Sequence, residues 1–589
     1  MIRFDDLFKG SPAPVNKPTL PTKPAPVTVK AEPQLPMPLP ASTAPFVRPD
    51  LQEEEEAPLP VPGQKHARPA PTPEEIQLRE EEEEARLRRI LQQVNEEEPA
   101  EAQEVDDREI RRLAMVLEKR FAKNQELRLK FAEDPQKFVE SELELDEAIK
   151  KLLVLTEYPH LYPVLLETGA LRTLLGLLVH DNVDLAVEVV ALLNDLTDPD
   201  VVVAEPAAAC IVPALEEAAL PALIDVLKRF SDDDPDQAKG VHNVLNIVEN
   251  LVEVRPSLVD LLGTRTGLLD FLVGRLRAKE AEVTPNRLYC SEILAIMVQG
   301  SEVNQRRVGV NPGIDLLLRI IARYRKRDVA TEVEVELLEN MFNVVCACLL
   351  IDENRSRFLQ ADGVDLMIIL VSQHKYIRAP AFRCLSFALN QSPDNCTRFV
   401  ERAGLKPLFA AFMQKIKLTS KRLRKGPRTE IEDDARDDHH LLADPVLSGL
   451  PRQRLMAKFR ESGFEKIDRL IELHRAYATR IDQAAARLNE QARADDDDDE
   501  TTAGADPDLL LSTRMEEGLA TLQMADLTLG AIIQEGDPEM KERIRVQLRQ
   551  YGMTTGDIKR VLEEFVELTA DTISAEAQKR WVTTLIAAL

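Results

Sequence analysis

A short motif recurs along the middle of the chain and limits what the chain can fold into. It opens with a small residue, continues at once with an apolar residue, and carries another apolar residue five positions after its start. The six copies begin at Gly169, Ala218, Gly267, Gly313, Gly363 and Gly404. Their spacing of 41–50 residues, with apolar residues at helical intervals, is typical of a protein built from stacked helical repeats.

Two further features recur in register with this motif. A second amphipathic run follows each copy, such as DLAVEVVALLNDL at 184–196, and Asn-x-x-Arg begins nine residues before each of the last three glycines. A single helical hairpin cannot bury its apolar face, whereas stacked hairpins share one continuous core. We therefore predict an all-α fold, a right-handed superhelical solenoid of the armadillo/HEAT type with helical caps at both ends. The alternative is a globular bundle of unrelated leucine-rich helices.

The composition agrees with a helical fold and restricts the partners. Only 4% of the residues are aromatic and 22 of 589 are glycine, which favours helices over sheets. The net charge of -27 argues against binding to nucleic acid or to membranes and suits basic protein partners. No apolar run approaches the roughly 18–20 residues of a membrane span. Six cysteines without a CxxC pair are expected to be reduced, buried thiols.

Composition also divides the chain into segments. The predicted disordered tail, 1–104, contains 19 of the 38 prolines and two acidic runs, so it cannot bury enough apolar surface to fold. The segments predicted after it are a helical cap at 105–160, about six armadillo repeats at 161–414, a charged loop at 415–440, long helices at 441–494, an acidic linker at 495–506 and a C-terminal helical region at 507–589.

Sequence motifs for catalysis are missing. The chain contains no GxGxxG, Walker A, GxSxG or HExxH pattern. His439 and His440 follow several aspartates, but in so polar a segment a solvated charge run is the better interpretation. We predict a protein that is not an enzyme and that needs neither a metal nor a cofactor.

Signals for binding are stronger and lie on the second amphipathic runs. In armadillo stacks the last helix of each repeat lines a groove, so polar residues of these helices are candidates for partner binding. They are Asn194, His242, Asn243, Asn246, Glu249, Asn250, Glu253, Glu336, Glu339, Asn340 and Asn343. Asparagine can hydrogen-bond the backbone of an extended peptide, and glutamate can pair with its Lys or Arg side chains. The alternative is that these residues form merely solvated faces.

One basic cluster lies outside the repeats. Its residues are Lys421, Arg422, Arg424 and Lys425. A short cluster of this kind is typical of a nuclear localisation signal, and a solvated loop is the alternative.

Several longer stretches resemble the beta-catenin-like protein 1 family. They are FAKNQELRLKF (121–131), LLGLLVHDN (174–182), GVHNVLNIVEN (240–250), LYCSEILAI (288–296) and EKIDRLIELH (465–474). The resemblance implies a nuclear location, an armadillo domain with helical ends and association with the spliceosome through the Prp-nineteen complex. It also implies binding to basic localisation segments of splicing factors, notably a Myb-related one, and self-association through the helices from about 105, hence a possible homodimer.

The expected function is therefore a non-enzymatic nuclear scaffold of the pre-mRNA splicing machinery. An import-receptor-like cargo adaptor is the alternative, although import receptors of this class hold basic peptides on a ladder of Trp and Asn. This chain has one tryptophan, Trp581, far outside the repeats. It also departs from animal members of the family, which carry a basic N-terminal cluster where this chain is proline-rich and acidic.

Overall fold

Regular structure is entirely helical in the part of the chain that the computed structural model describes. The described residues are 105–277, 283–310, 313–327, 329–373, 377–416, 447–495, 506–569 and 573–589. The predicted disordered tail, nearly all of the charged loop and most of the acidic linker lie outside these ranges. The all-α prediction is confirmed, and no described helix combines the length and apolarity needed to cross a membrane.

The described part of the chain opens with two long helices that pack together. Helix α1 (Asp107–Lys130) begins at Asp106, whose carboxylate accepts a hydrogen bond from the Glu109 backbone N–H. Helix α2 (Val139–Lys151) packs against α1. The buried side chains of Asn124 and Ser141 join the two helices through a hydrogen bond of 2.9 Å. These helices provide the partner against which the first repeat packs.

The repeats are helix triplets, in which two short helices lead to a longer third one. The first three triplets are α3 (Tyr162–Glu167), α4 (Ala170–Leu177) and α5 (Val183–Leu196); α7 (Ile211–Ala218), α8 (Leu220–Val226) and α9 (Pro235–Val254); and α10 (Leu258–Arg265), α11 (Leu268–Arg277) and α12 (Pro285–Val298). An additional helix, α6 (Pro199–Ala204), lies between the first and second triplets and packs on α9.

Two more triplets and a helix pair complete the series. They are α13 (Glu302–Gly309), α14 (Gly313–Ala322) and α15 (Glu332–Cys348); α16 (Asp352–Gln360), α17 (Gly363–Gln373) and α18 (Arg378–Leu389); and the pair α19 (Pro393–Glu401) and α20 (Leu405–Phe412). Short 3-10 turns occur at Pro135–Lys137, Leu152–Glu157, Pro159–Leu161, Ala208–Cys210 and Arg323–Arg325. The triplets form the armadillo arrangement that the sequence predicts.

In five of the six copies the recurring small residue lies at the start of the second helix of its triplet or pair, whereas Ala218 is the last residue of α7, two residues before α8. Gly169 adopts a left-handed backbone with φ of 79°, and a Cβ at Gly363 would lie 2.6 Å from the ring of Phe358. The apolar residues five positions after each start are all buried: Leu174, Leu223, Leu272, Leu318, Ile368 and Phe409. The motif therefore places core contacts in the first turns of that helix.

The three Asn-x-x-Arg motifs place a row of buried asparagines along the first helices of successive repeats. We call Asn304, Asn354 and Asn395 the buried asparagine row; each is 0% exposed. Asn354 donates from Nδ2 to the carbonyl oxygens of Gln305 and Cys348, at 2.9 and 3.0 Å. Asn304 makes the equivalent pair of hydrogen bonds at 3.0 and 2.9 Å, and Asn395 donates to a carbonyl of α16 at 3.2 Å. These amides join successive repeats by satisfying backbone groups inside the stack.

The C-terminal helices close the end of the stack. Helix α21 (Gly449–Asp495) is kinked at residues 461–464, and its Phe459 ring packs edge-on against Phe409 of α20, with centroids 5.4 Å apart. The run HLLADPVLSGL, predicted to supply the second amphipathic run of the sixth copy, lies mostly outside the described residues. The remaining helices are α22 (Pro507–Glu516), α23 (Leu519–Glu535), α24 (Pro538–Gln550), α25 (Thr555–Leu568) and α26 (Ile573–Ala588).

Helix α23 is the centre of this C-terminal region. It is buried along its length by α21, α24, α25 and α26. Its Asp526 carboxylate, which is 0% exposed, lies 2.6 Å from Nδ1 of His474 on α21. Arg452 of α21 also forms a two-point ion pair with Glu535 of α23, at 2.8 and 3.1 Å. These contacts fix α21 between the last repeat and the C-terminal helices.

Candidate partner-binding face

The third helices of successive triplets lie side by side and form one continuous face. Helices α5, α9, α12, α15 and α18 each pack against the next. We call the polar side chains that project from this row the third-helix face. Because each of these helices is flanked by two others, only a narrow strip of each can reach solvent, and the residues of that strip determine what the face can bind.

Local sequence signals start these helices at fixed residues. The Asn182 and Asp234 side chains accept hydrogen bonds from backbone N–H groups in the first turns of α5 and α9, and Thr284 and Thr331 do the same for α12 and α15. Helices α9 and α12 also have proline at their first position, where no intrahelical N–H is needed. These caps fix the point at which each third helix begins.

Side-chain amides form a hydrogen-bonded chain across the first three of these helices. Asn246 of α9 donates from Nδ2 to Oδ1 of Asn194 on α5, at 2.8 Å. The Tyr289 hydroxyl of α12 lies 3.0 Å from Oδ1 of Asn246 and also within hydrogen-bonding distance of Glu249. The exposed His242 ring packs on Tyr289, with centroids 4.7 Å apart. Burial and the bond to Glu249 raise the pKa of Tyr289, so its hydroxyl stays a donor.

The next helices carry a second polar group. Asn340 of α15 donates from Nδ2 to the Ser291 hydroxyl of α12 at 3.0 Å. Exposed Asn343, one turn further along α15, accepts a hydrogen bond of 2.7 Å from Arg383 of α18. Arg383 therefore lies where α15 and α18 meet on this face.

Carboxylates crowd together between these two polar groups. Partial burial, together with the nearby carboxylates of Glu249 and Glu336, raises the pKa of Glu292 on α12. Loss of hydration of the carboxylate raises the pKa of Glu339. The charge of Arg383 lowers this pKa, and the charge of Glu336 raises it. Both shifts show that negative charge is disfavoured here in the absence of a partner. An incoming cation would relieve that repulsion.

Two of the predicted outward-facing residues are in fact buried. Asn243 and Asn250 are each only 7% exposed. Asn250 points toward the neighbouring α5, where its Nδ2 lies 3.4 Å from the Thr197 hydroxyl. The expectation that they face outward was wrong because the neighbouring α5 packs against the side of α9 on which both residues lie. Glu253, Glu336 and Glu339 are exposed as expected, whereas Asn194, Asn246, Glu249 and Asn340 are half-buried.

Sequence reasoning missed Tyr289, Ser291, Glu292 and Arg383, although the stretch LYCSEILAI that holds three of them was noticed. A usable signal was present. Tyr289 and Glu292 are three residues apart, as are Asn246 and Glu249 on the preceding third helix. Aligning the third helices with one another, instead of judging each by its own polarity, would have found this pair.

Two other features of the sequence lie outside the described residues and stay untested. The basic cluster Lys421, Arg422, Arg424 and Lys425 lies outside them, as do His439 and His440. Among the described residues, no group of three or more His, Cys, Asp or Glu side chains is placed to hold a metal ion.

Comparison with known proteins agrees with the fold and with the predicted resemblance. The family model described as "Catenin-beta-like, Arm-motif containing nuclear" matches residues 87–563. Beta-catenin-like protein 1 of Homo sapiens is 34% identical over 480 residues, which cover 80% of this chain and 84% of the human protein. The Beta-catenin-like protein 1 homolog of Schizosaccharomyces pombe is 34% identical over 394 residues, 65% of this chain and 66% of that protein.

The solved structures that this chain matches have much lower sequence identity. A chain from a study of the phosphorylation switch that controls the interaction between cadherin and beta-catenin is 14% identical, with a TM-score of 0.38 over 81% of this chain and 86% of that chain. An engineered protein is 13% identical, with a TM-score of 0.41 over 82% of this chain and 99% of its own. On the family model and the curated relatives, this chain belongs to the beta-catenin-like protein 1 family of nuclear proteins that contain armadillo motifs.

Proposed function

We propose that this protein is a non-enzymatic nuclear scaffold of the pre-mRNA splicing machinery, associated with the Prp-nineteen complex. In this proposal it binds Lys/Arg-rich, localisation-type segments of splicing factors, including a Myb-related one, on the third-helix face. Membership of a nuclear armadillo family supports the location and the class of activity. A homodimer formed through the N-terminal helices α1 and α2 remains part of the proposal.

The observation that carries this function is the crowding of carboxylates on α9, α12 and α15. Burial, and then the charges of nearby Glu249 and Glu336, raise the pKa of Glu292. A Lys or Arg side chain placed among them would gain attraction from several carboxylates and would remove their mutual repulsion. The net charge of -27 would also attract a basic segment over a longer range.

The amide chain supplies the second element of recognition. Asn194 and Asn246 are half-buried and hydrogen-bonded to one another, so their side chains are held in position before a partner arrives. Remaining donor and acceptor capacity on such amides can bond the backbone of an extended peptide without regard to its sequence. Amides would thus set the path of the segment, and carboxylates would select its charge.

The protein would hold such a segment differently from import receptors. Trp581 lies on α26 in the C-terminal region, away from the third helices. Stacking of Lys or Arg on indole rings therefore cannot contribute on this face. Recognition would depend mainly on charge, so the affinity should fall steeply as salt is raised.

A binding measurement with matched variants tests this function. The full chain is titrated into a fluorescein-labelled Lys/Arg-rich peptide at low and high salt, and anisotropy reports the affinity. We expect the double variant E292Q/E336Q to bind about five- to tenfold more weakly at low salt, since each exposed charge pair is worth roughly 0.2–1 kcal/mol. The control E490Q/E567Q likewise removes two carboxylates, from exposed positions on α21 and α25.

The control and a pull-down decide between interpretations. An equal loss of affinity in E490Q/E567Q would mean that net charge, and not the third-helix face, attracts the peptide. Wild-type protein should recover splicing factors from nuclear extract, and E292Q/E336Q should recover fewer. Recovery of transport factors in their place would favour a cargo adaptor.

A further inference from the structure

A cluster of cations lies where the second helix of the fourth triplet ends. Five of the nine residues from 319 to 327 are Arg or Lys, and none is acidic. All five are exposed, and no other window of nine described residues holds as many. We call this cluster the basic edge; it consists of Arg319, Arg323, Arg325, Lys326 and Arg327. Because the chain as a whole has a net charge of -27, this surface differs in sign from its surroundings.

Helix formation accounts for only part of the basic edge. The C-terminal end of a helix carries partial negative charge, which favours Lys and Arg within its last turn. Helix α14 ends at Ala322, so only Arg319 lies in that turn, and the other four cations follow on the 3-10 turn Arg323–Arg325 and just beyond it. The second helices α4, α8, α17 and α20 have no basic residue in their last turns. The excess of cations after α14 therefore calls for another explanation.

Packing fixes the turn that carries these cations. Tyr324 is only 3% exposed and belongs to the hydrophobic core, whereas its neighbours Arg323 and Arg325 are exposed. The turn packs against both α14 and α17. The Arg327 guanidinium lies over the Tyr324 ring, with its Cζ 4.5 Å from the ring centroid. Since the backbone is anchored in this way, little of its conformational freedom would be lost when the cations bind a partner.

Two of the five cations are paired within the chain. Arg319 pairs with a carboxylate one turn earlier on α14, at 2.6 Å, and Arg327 pairs with Glu334 of α15. The Arg319 side chain is nevertheless 74% exposed, so it can exchange its partner. Among the described residues, Arg323 and Lys326 have no carboxylate within ion-pair distance. The basic edge therefore keeps positive charge that this part of the chain does not neutralise.

We propose that the basic edge is a docking surface for an acidic segment of a partner protein, rich in Asp and Glu. From Arg319 to Lys326 the cations extend over roughly 10 Å, given the rise per residue of a helix. That spread suits several carboxylates along an extended segment, each paired with an Arg or Lys side chain. A single phosphate group would engage only one or two of the cations. The proposal does not rest on binding of basic segments to the third-helix face.

Single-stranded nucleic acid is the other polyanion that a basic surface can attract, and two observations disfavour it. Bases are held largely by stacking on exposed aromatic rings. The one aromatic residue between 319 and 327 is Tyr324, which is 3% exposed and lies under Arg327. A long polyanion would also be repelled by the rest of a chain with a net charge of -27, whereas a short acidic segment meets mainly the local positive charge.

Binding to a labelled acidic peptide tests the proposal on the full chain. Wild-type protein is titrated into a short fluorescein-labelled peptide of Asp, Glu and Ser at low and high salt, and anisotropy reports the affinity. We expect saturable binding at low salt that weakens as salt is raised. The variant R323Q/K326Q should bind about three- to tenfold more weakly, because it loses two exposed charge pairs. Absence of binding by the wild type would overturn the proposal.

A matched variant separates the basic edge from net charge. R265Q/K406Q likewise removes one Arg and one Lys, from exposed positions on α10 and α20, and should keep the wild-type affinity. Thermal unfolding of both variants checks that they remain folded. Equal weakening of binding in the two variants would mean that net charge governs the affinity, and the basic edge would then not be the docking surface.

Cross-linking on the wild-type chain locates the bound peptide without any substitution. Lys326 is the one lysine of the basic edge, so carbodiimide activation of the peptide carboxylates should join the peptide to Lys326, as read by mass spectrometry. Cross-links only to lysines elsewhere would overturn the proposal. So would a labelled single-stranded RNA that binds the wild type more tightly than the acidic peptide and loses affinity in R323Q/K326Q, since the basic edge would then be a nucleic-acid site.

Discussion

Two rows of asparagines run along this molecule and have opposite surroundings. Asn304, Asn354 and Asn395, the buried asparagine row, are 0% exposed and bond backbone carbonyls between successive first helices. On the third-helix face, by contrast, Asn194, Asn246 and Asn340 are half-buried and Asn343 is exposed, and their partners are other side chains. The same residue type therefore holds the repeats together on one side and lies at or near the surface on the other.

The comparison shows why the partners of an asparagine matter more than its identity. A buried amide that bonds two carbonyls has used its donors, and removing it takes one hydrogen bond from each of those carbonyls where water cannot replace it. An amide at the surface can exchange its side-chain partners for a peptide or for water at little cost. We therefore expect substitutions in the two rows to separate stability from binding.

The largest expected effect is on stability, in the buried asparagine row. N354A removes the donor to the carbonyls of Gln305 and Cys348, so we expect the free energy of unfolding to fall by about 2–4 kcal/mol. The matched control is N343A on the third-helix face, for which we expect less than about 1 kcal/mol. Urea unfolding followed by circular dichroism measures both. Equal losses in the two variants would mean that the rows do not differ in this way.

A smaller effect on stability, with a change in binding, is expected at Asn246. N246A removes the acceptor for the Tyr289 hydroxyl and the donor to Asn194, and we expect a loss of about 1 kcal/mol because water can replace these partners. Affinity for a Lys/Arg-rich peptide should also fall. A double-mutant cycle with Y289F measures the coupling within the pair. Unchanged peptide affinity in N246A would mean that the amide chain does not take part in binding.

The smallest effect, and one of opposite sign, is expected at Glu292. The pKa of Glu292 is higher in the folded chain than its ordinary value of 4.5 in the unfolded chain. Ionised Glu292 therefore destabilises the fold at pH values above its folded pKa. This penalty vanishes below pH 4.5, where the carboxyl is protonated in both states. E292Q should therefore raise the free energy of unfolding at pH 7, by less than about 1 kcal/mol, and make no difference near pH 4. Thermal unfolding at both pH values measures this. A destabilised E292Q at pH 7 would contradict the crowding of carboxylates.

We expect E292Q to have opposite effects on stability and on peptide binding. The variant that stabilises the free protein is also one that should weaken its hold on a basic peptide. Like charges gathered on a surface cost folding free energy and are retained where a partner neutralises them. Substitutions in the buried asparagine row, in contrast, should lower stability without any gain or loss that is specific to peptide binding.

Much of the fold could be predicted because the residues that define each repeat are close together in the sequence. The small residue before each second helix, the apolar residue five positions later and the helix caps each act within a few residues of one another. The third-helix face was predicted less completely. Asn194, His242, Asn246 and Glu249 lie on third helices, as the pattern predicted, but Tyr289, Glu292 and Arg383 join them only because helices 40 or more residues apart lie side by side.

Sequence alone thus determined the helical repeat, its period and the helices on which polar residues would gather, since periodic burial of apolar side chains requires them. Tertiary structure decided which of those residues remain at the surface. Asn243, Asn246 and Asn250 occupy one polar strip of α9 at helical spacing, yet only Asn246 is more than 7% exposed. The neighbouring third helices cover the edges of that strip, and their offset along the stack is set by packing between repeats, which no single helix encodes.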